Sequence, residues 1–273
     1  MARPEGELTT LDRQRLSADR IRARVSSVCG RIAAACHRAG REPSEVRLVG
    51  VTKGFGPEVA AAAVAAGVRD LGENRVQEAR DKIPAVDALL GRAEVPGQRS
   101  PNPDVRPVWH LVGHLQRNKA HHAVTLFDWI HSVDSLPLGH EIARRAVAAG
   151  RQVNVLLQVN VAAEPQKHGA RPEEASALAD ALTGLAGLRL RGLMTIAPMA
   201  ADPEQVRWVF QELRELRDRI RAERGIPLDE LSMGMTDDFE VAVEEGATMV
   251  RIGRALFGDV HPSPLPEGGN GRP

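Results

Sequence analysis

The sequence predicts a single α/β domain folded as a closed (β/α)8 barrel, the TIM barrel. Eight short β-rich runs alternate with amphipathic helical segments, and such alternation favours a parallel sheet with helical crossovers. The length of 273 residues suits one barrel domain. A doubly wound open sheet is the alternative, but the Gly-x-Gly-x-x-Gly fingerprint of a dinucleotide-binding open sheet is absent.

A helical pattern over residues 12–40 precedes the first strand and is placed to cover the bottom of the barrel. The predicted strands are residues 46–52, 68–72, 108–112, 129–133, 153–161, 188–196, 231–235 and 248–252. The predicted helices between them are residues 57–66, 76–90, 118–125, 137–149, 173–185, 203–224 and 237–245. Pro84 is expected to kink or split the second of these helices.

The chain therefore divides into three predicted parts. Residues 1–43 form an N-terminal segment with the extra helix, residues 44–258 form the barrel, and residues 259–273 form a disordered tail. Residues 95–104 (VPGQRSPNPD) are rich in proline, glycine and polar residues and show no periodicity. That composition predicts a flexible insert within the barrel.

The composition excludes several classes of partner. Lysine plus arginine equals aspartate plus glutamate, at 36 each, so the zero net charge gives no electrostatic footprint for nucleic acid. No apolar run is long enough to span a bilayer, and residues 1–10 lack the apolar core of a signal peptide. Only two cysteines are present, Cys29 and Cys36, which suits a reducing compartment. We therefore expect a cytoplasmic protein with no nucleic-acid or membrane partner.

The first strand ends in Val51-Thr52-Lys53, and active sites of such barrels lie at the C-terminal ends of the strands. We expect Lys53 to be partly buried there, which favours its neutral amine. A neutral lysine amine is the nucleophile that forms a Schiff base with an aldehyde. A solvated lysine at the rim is the simpler alternative, and position alone favours it.

A candidate phosphate site follows the last two strands. The eighth strand ends in Arg251-Ile252-Gly253-Arg254, and a glycine that opens a helix lets an anion approach backbone N–H groups closely. The seventh strand delivers Ser232-Met233-Gly234-Met235-Thr236 to the same corner, which is the usual phosphate site of this barrel. Ordinary turn chemistry explains either loop alone, and their convergence on adjacent strands favours the phosphate site.

A metal site is the rival interpretation of five histidines: His110, His114, His121, His122 and His131. His110 and His114 straddle a predicted strand end instead of sharing one helix face, no His-Glu-x-x-His motif is present, and no cysteine lies near. We therefore expect ordinary polar roles for these histidines and no metal.

Taken together, the strand-end motifs resemble the pyridoxal phosphate homeostasis family, also called the proline synthase co-transcribed or YggS-like family. The resemblance spans residues 44–258 in the order of the strands. Its motifs are Val51-Thr52-Lys53, Leu71-Gly72-Glu73-Asn74 with Gln77-Glu78, Trp109-His110, Gly113-His114-Leu115-Gln116 with Asn118-Lys119, His131-Ser132-Val133-Asp134, Gln166-Lys167-His168-Gly169, Arg191-Gly192-Leu193-Met194-Thr195, Leu231-Ser232-Met233-Gly234-Met235 and Val250-Arg251-Ile252-Gly253.

The resemblance implies a barrel similar to the N-terminal domain of alanine racemase, with pyridoxal 5′-phosphate (PLP) held as a Schiff base on Lys53. Arg251 would face the pyridine nitrogen, and Asn74 and Met194 would border the ring. The implied phosphate ligands are Ser232, Met233, Gly253 and Arg254. Lys167 matches a second family lysine that would act in moving PLP on or off. The sequence departs from the family pattern at Arg75, where an aromatic residue often stands, and at His114, where a proline is common.

The resemblance implies a protein that carries or buffers PLP, possesses no strong catalytic activity, and is a monomer that delivers PLP to apo-enzymes. An amino-acid racemase is the alternative, and it needs an acid/base group on each side of the substrate Cα. In alanine racemase-like enzymes the second group is a tyrosine from another domain, whereas this chain contains no tyrosine and ends soon after the eighth strand. A third interpretation is a barrel that binds another phosphorylated metabolite without a Schiff base, for which Lys53 would be dispensable.

Overall fold

The computed structural model describes residues 10–91 and 106–258, with side chains described from residue 18 onward. Eight parallel strands close into a barrel in their sequence order, and the first strand pairs with the eighth. The strands are β1 (Arg47–Val51), β2 (Asp70–Glu73), β3 (Val108–Leu111), β4 (Trp129–Val133), β5 (Val153–Gln158), β6 (Leu188–Met194), β7 (Glu230–Ser232) and β8 (Met249–Ile252). The predicted (β/α)8 fold is confirmed; the predicted insert at 95–104 and tail at 259–273 lie outside the described residues.

A helix follows every strand. The helices are α1 (Thr10–Arg38), α2 (Pro57–Ala65), α3 (Val76–Gly91), α4 (Ala120–Leu126), α5 (Leu136–Ala148), α6 (Pro172–Thr183), α7 (Arg207–Arg224), α8 (Phe239–Glu244) and α9 (Arg254–Phe257). Helix α3 continues through Pro84, so the expected split is wrong: Ala79, Ile83 and Val86 pack into the core on both sides of the proline. Within the described residues, no helix has both the length and the apolarity required to cross a membrane.

Helix α1 does not cover the bottom of the barrel as expected. It packs in the outer ring of helices against α8, α2 and α9. Helix α9 is only four residues long, so α1 fills the side of the barrel that a full eighth helix would cover. Arg31 pairs with Glu240, and Arg38 pairs with Glu244. These contacts tie the N-terminal helix to α8, and its two cysteines are both free thiols.

The hydrophobic core has two layers because strand residues alternate in direction. The outer layer lies between the strands and the helices. The inner layer fills the barrel with Val49, Val51, Val112, Trp129, Leu156, Met194 and Met249. Polar side chains that share this interior are therefore cut off from water, and each requires a partner inside the barrel.

The tightest approach between strands supplies a test of the barrel. A Cβ on Gly192 of β6 would lie 1.8 Å from the backbone oxygen of Glu230 on β7, whereas a Cβ on Gly30 of α1 meets no atom within 4 Å. We expect Gly192→Ala to lower the free energy of unfolding by more than about 3 kcal/mol, because a paired backbone cannot move aside. Gly30→Ala, the matched control, should raise it by about 0.5–1 kcal/mol. Urea unfolding followed by circular dichroism measures both, and equal effects would contradict the packing.

Candidate functional site

The predicted site residues meet at the C-terminal mouth of the barrel on three neighbouring strands. Ser232 ends β7, and Arg251 lies on β8 opposite Val49 of β1. Lys53 stands two residues beyond the end of β1. Its side chain is exposed, so the expected partial burial is wrong. Since β1 is only five residues long, Lys53 lies beyond the packed barrel and its amine is open to an incoming ligand.

The backbone before Lys53 is held by a buried ion pair. Lys82 of α3 donates from Nζ to Glu73 Oε1 at 2.6 Å and to the carbonyl oxygen of Thr52 at 2.7 Å. Thr52 Oγ1 donates to the same Glu73 oxygen at 2.6 Å. Burial raises the pKa of the Glu73 carboxyl, and the Lys82 ammonium opposes that shift. The residue next to Lys53 is thus fixed through both its hydroxyl and its carbonyl.

The backbone after Lys53 is held by the same cluster. Glu78 Oε1 accepts from Lys82 Nζ at 2.8 Å and from the N–H of Gly54 at 2.6 Å. Gly54 has a φ of +76°, which a glycine adopts without strain. Both neighbours of Lys53 are thus pinned, and the exposed lysine side chain stands on a fixed backbone.

Arg251 is a buried cation inside the barrel. Its Nη1 donates to Ser232 Oγ at 2.6 Å and its Nη2 to the carbonyl oxygen of Thr195 at 2.8 Å. Burial lowers the pKa of Arg251 to about 10, and the charge of Asp238 opposes that shift. No carboxylate among the described residues lies within ion-pair distance of the guanidinium, although buried charges are normally paired. Arg251 therefore has unused capacity to bind an acceptor.

A chain of hydrogen bonds runs from Arg251 through the interior. Ser232 Oγ lies 2.9 Å from His131 Nδ1, and His131 Nε2 lies 2.9 Å from His110 Nδ1. His110 Nε2 lies 2.9 Å from Asp70 Oδ1. Ser232, His131 and His110 are all fully buried. The chain links the mouth of the barrel to the carboxylate at the start of β2.

The chemistry of the two ends fixes the direction of every bond in the chain. A carboxylate only accepts, so His110 donates from Nε2 and accepts at Nδ1 from His131. His131 then accepts at Nδ1 from the hydroxyl of Ser232, which accepts from Arg251. Burial lowers the pKa of His110 and holds that of His131 well below its ordinary value. Both rings are neutral at pH 7, and the chain is satisfied in one direction from Arg251 to Asp70.

The predicted phosphate corner lies beside Arg251. Gly253 immediately precedes α9, and the first N–H groups of a helix have no acceptor within it. Arg254 is exposed and pairs with Asp237. Met233 departs from the prediction, because its N–H donates to Met249 O at 3.1 Å and its side chain is buried in the outer core. Its N–H is thus unavailable to a phosphate.

The remaining predicted residues lie around the same mouth. Met194 is fully buried and is the register partner of Ser232. Asn74 follows β2, and its carbonyl oxygen lies so close to Gly113 that a Cβ there would be 2.3 Å away. Lys167, in the loop after β5, pairs with Glu164 and donates to the carbonyl oxygen of Ala197 at 3.0 Å. The structure thus brings Met194 into the layer of Ser232 and Arg251 and holds Lys167 against the loop after β6.

Sequence reasoning named no partner and no specific place in the site for the residues that support it: Asp70, Glu73, Glu78, Lys82, His110 and His131. The available signal was that four of them are polar residues within or beside apolar strands. A buried strand position occupied by histidine or glutamate requires a polar partner. That signal marks each residue but does not name the partner.

The sequence matches the family described as the alanine racemase N-terminal domain over residues 31–261. The pyridoxal phosphate homeostasis protein of Aquifex aeolicus is 41% identical over 236 residues, which is 86% of this chain and 96% of that protein. Its counterpart in Escherichia coli K12 is 38% identical and is 94% covered. The matched region extends over nearly the whole length of both relatives.

Similar solved structures include proteins of comparable sequence identity. A protein of unknown function from Bifidobacterium adolescentis superposes with a TM-score of 0.80 at 40% identity, over 89% of this chain and 96% of that one. PipY of Synechococcus elongatus, solved with PLP bound, has a TM-score of 0.69 at 36% identity, over 87% of this chain and all of that one. Alanine racemase of Clostridium difficile, at 17% identity and a TM-score of 0.64, shares the fold.

The neutral histidines predict a pH dependence of stability. Unfolded histidine binds a proton near pH 6.5, whereas His131 has a lowered pKa in the folded protein. The unfolded state therefore binds more protons below about pH 6.5, and stability falls as the pH falls through that value. His131→Asn should reduce the slope of unfolding free energy against pH by up to about 1.4 kcal/mol per pH unit at about pH 5–6. Urea unfolding from pH 5 to 8 measures it, with the exposed His140→Asn as the control. An unchanged slope in His131→Asn would contradict a neutral, buried His131 in the folded protein.

Proposed function

Because the chain belongs to the family of pyridoxal phosphate homeostasis proteins, we propose that it binds PLP at the mouth of the barrel, with Lys53 as the Schiff-base lysine. When bound, PLP supplies an aldehyde carbon that a lysine amine can capture. Lys53 is accessible and stands on a fixed backbone. It follows β1, the strand that pairs with the strand of Arg251. These features fit one small ligand that spans neighbouring strands.

The observation that carries the proposal is the buried guanidinium of Arg251 with neutral partners. A desolvated cation with spare N–H groups is stabilised by a further acceptor, and the pyridine nitrogen of PLP is an acceptor of suitable size. Arginine there keeps the nitrogen unprotonated, because a second positive charge beside it is unfavourable. A neutral ring is a poor electron sink, which disfavours carbanion chemistry on a bound amino acid.

The phosphate is assigned to the corner between β7 and β8. Gly253 immediately precedes α9, and the charge of Arg254 lies next to it. Thr236 Oγ1 accepts from the N–H of Ala255 at 3.3 Å and ties the two loops together. Met233 is left out of this assignment because its N–H is already bonded.

The role proposed for the chain is that of a PLP carrier or buffer without strong catalytic activity of its own. The absence of tyrosine from the sequence removes the usual second base of a racemase on this barrel. Lys167, on the opposite side of the mouth from Lys53, is the residue proposed to assist transfer of PLP. The proposal includes a cytoplasmic monomer whose partners are PLP-dependent apo-enzymes.

We expect the purified protein to show a violet absorption band on addition of PLP, and borohydride to fix the cofactor on Lys53. The chain's lysines are Lys53, Lys82, Lys119 and Lys167, so peptide mapping identifies the modified residue without ambiguity. Lys53→Ala should lack the band, whereas the control Lys119→Ala should keep it, because only Lys53 stands at the end of β1. Retention of the band by Lys53→Ala would refute the lysine assignment. Racemisation of alanine faster than by free PLP would refute the non-enzymatic role.

A further inference from the structure

Three metal-ligating side chains converge on the mouth of the barrel, away from Lys53 and Arg251. His114 follows β3, Asp134 follows β4, and His168 lies in the loop after β5. These are consecutive strands across the barrel from β7, β8 and β1. One ligand atom from each of the three side chains lies within 4.8 Å of the other two. No other such group of histidine, cysteine and acidic side chains occurs in residues 18–91 and 106–258.

The ring nitrogens of this cluster are not used by the protein. The imidazoles of His114 and His168 stack at 3.7 Å between centroids, with 10° between their planes. His114 Nδ1 lies 3.7 Å from Asp134 Oδ2, which is beyond hydrogen-bond distance. Neither ring makes a hydrogen bond to another described residue. Both histidines are exposed, so an ion can reach them from solvent.

Close contacts hold the backbone beside His114 and His168 in place. Gln158, at the buried end of β5, donates from Nε2 to the carbonyl oxygen of His168 at 2.8 Å. Gly169 has a φ of +135°, and a Cβ there would lie 2.6 Å from the N–H nitrogen of Asn160. Gly113 is held equally tightly against Asn74. Both loops are therefore anchored at the residue next to the histidine.

We propose that His114, Asp134 and His168 form a binding site for a borderline divalent transition-metal ion such as Zn²⁺. Two imidazoles and one carboxylate match the ligand preference of Zn²⁺, and Ca²⁺ or Mg²⁺ would require more oxygen ligands. Bonds of about 2.0–2.1 Å to zinc place tetrahedral ligand atoms roughly 3.3 Å apart. To reach that spacing and converge on one ion, the stacked rings of His114 and His168 must tilt about their exposed side-chain bonds. Three protein ligands leave one position open toward the mouth of the barrel.

The first measurement uses untagged protein stripped of metal with a chelator and then titrated with Co²⁺ or Zn²⁺. Co²⁺ should give visible absorption bands that saturate at about one ion per chain, and Zn²⁺ should displace it. His114→Ala, His168→Ala and Asp134→Asn should each weaken binding by at least about tenfold. PLP is not needed in this experiment, so its outcome does not depend on the proposed function.

The double variant His121→Ala/His122→Ala is the matched control. These rings also lie close together, at 3.8 Å between centroids with 40° between their planes, but they belong to no three-residue cluster among the described residues. The control should bind Co²⁺ with wild-type affinity, and circular dichroism should show every variant folded. Absence of Co²⁺ binding, wild-type affinity in folded His168→Ala, or loss of binding in the control would each overturn the site.

Discussion

The cation buried inside the barrel constrains the arrangement of the strands around it. Arg251 cannot reach water, and the groups that face it are the hydroxyl of Ser232 and the carbonyl of Thr195. The hydroxyl accepts from Arg251 and donates its own hydrogen bond to His131. That histidine is in turn oriented by His110. Four strands thus supply polar groups whose directions agree, and one edge of the guanidinium remains for a ligand.

Lys53, in contrast to the buried Arg251, is an exposed residue on a fixed backbone. Hydrogen bonds fix the backbone on either side of it. The buried pair of Lys82 with Glu73 holds the preceding residue, and Glu78 accepts from the N–H of the next one. An exposed lysine on a fixed backbone suits the proposed function of PLP binding. In that proposal Arg251 positions the ligand and Lys53 captures its aldehyde.

The sequence predicted the architecture well because alternation and period are local properties. All eight strands and the helices between them lie close to where hydrophobic periodicity placed them. The strand-end rule selected Lys53, Ser232 and Arg251 as candidates, and the structure brings them to the same mouth of the barrel. The supporting bonds were beyond its reach, since His131 and Ser232 are 101 residues apart. The cluster of His114, Asp134 and His168 was not visible in the sequence for the same reason: spacing rules search one helix or loop, whereas these three residues come from three loops. Exposure of Lys53 was misjudged because the strand ends earlier than its apolar run suggests.

We propose that Arg251 is retained inside the barrel for a ligand and not for stability. Arg251→Met tests it, with the exposed Arg189→Met on β6 as the control. The free energy of unfolding without PLP should change by no more than about 1 kcal/mol, because relief of the buried charge offsets the lost hydrogen bonds. The dissociation constant for PLP, from fluorescence or absorbance titration, should rise at least about tenfold in Arg251→Met alone. Wild-type PLP affinity in a folded Arg251→Met protein would contradict the account.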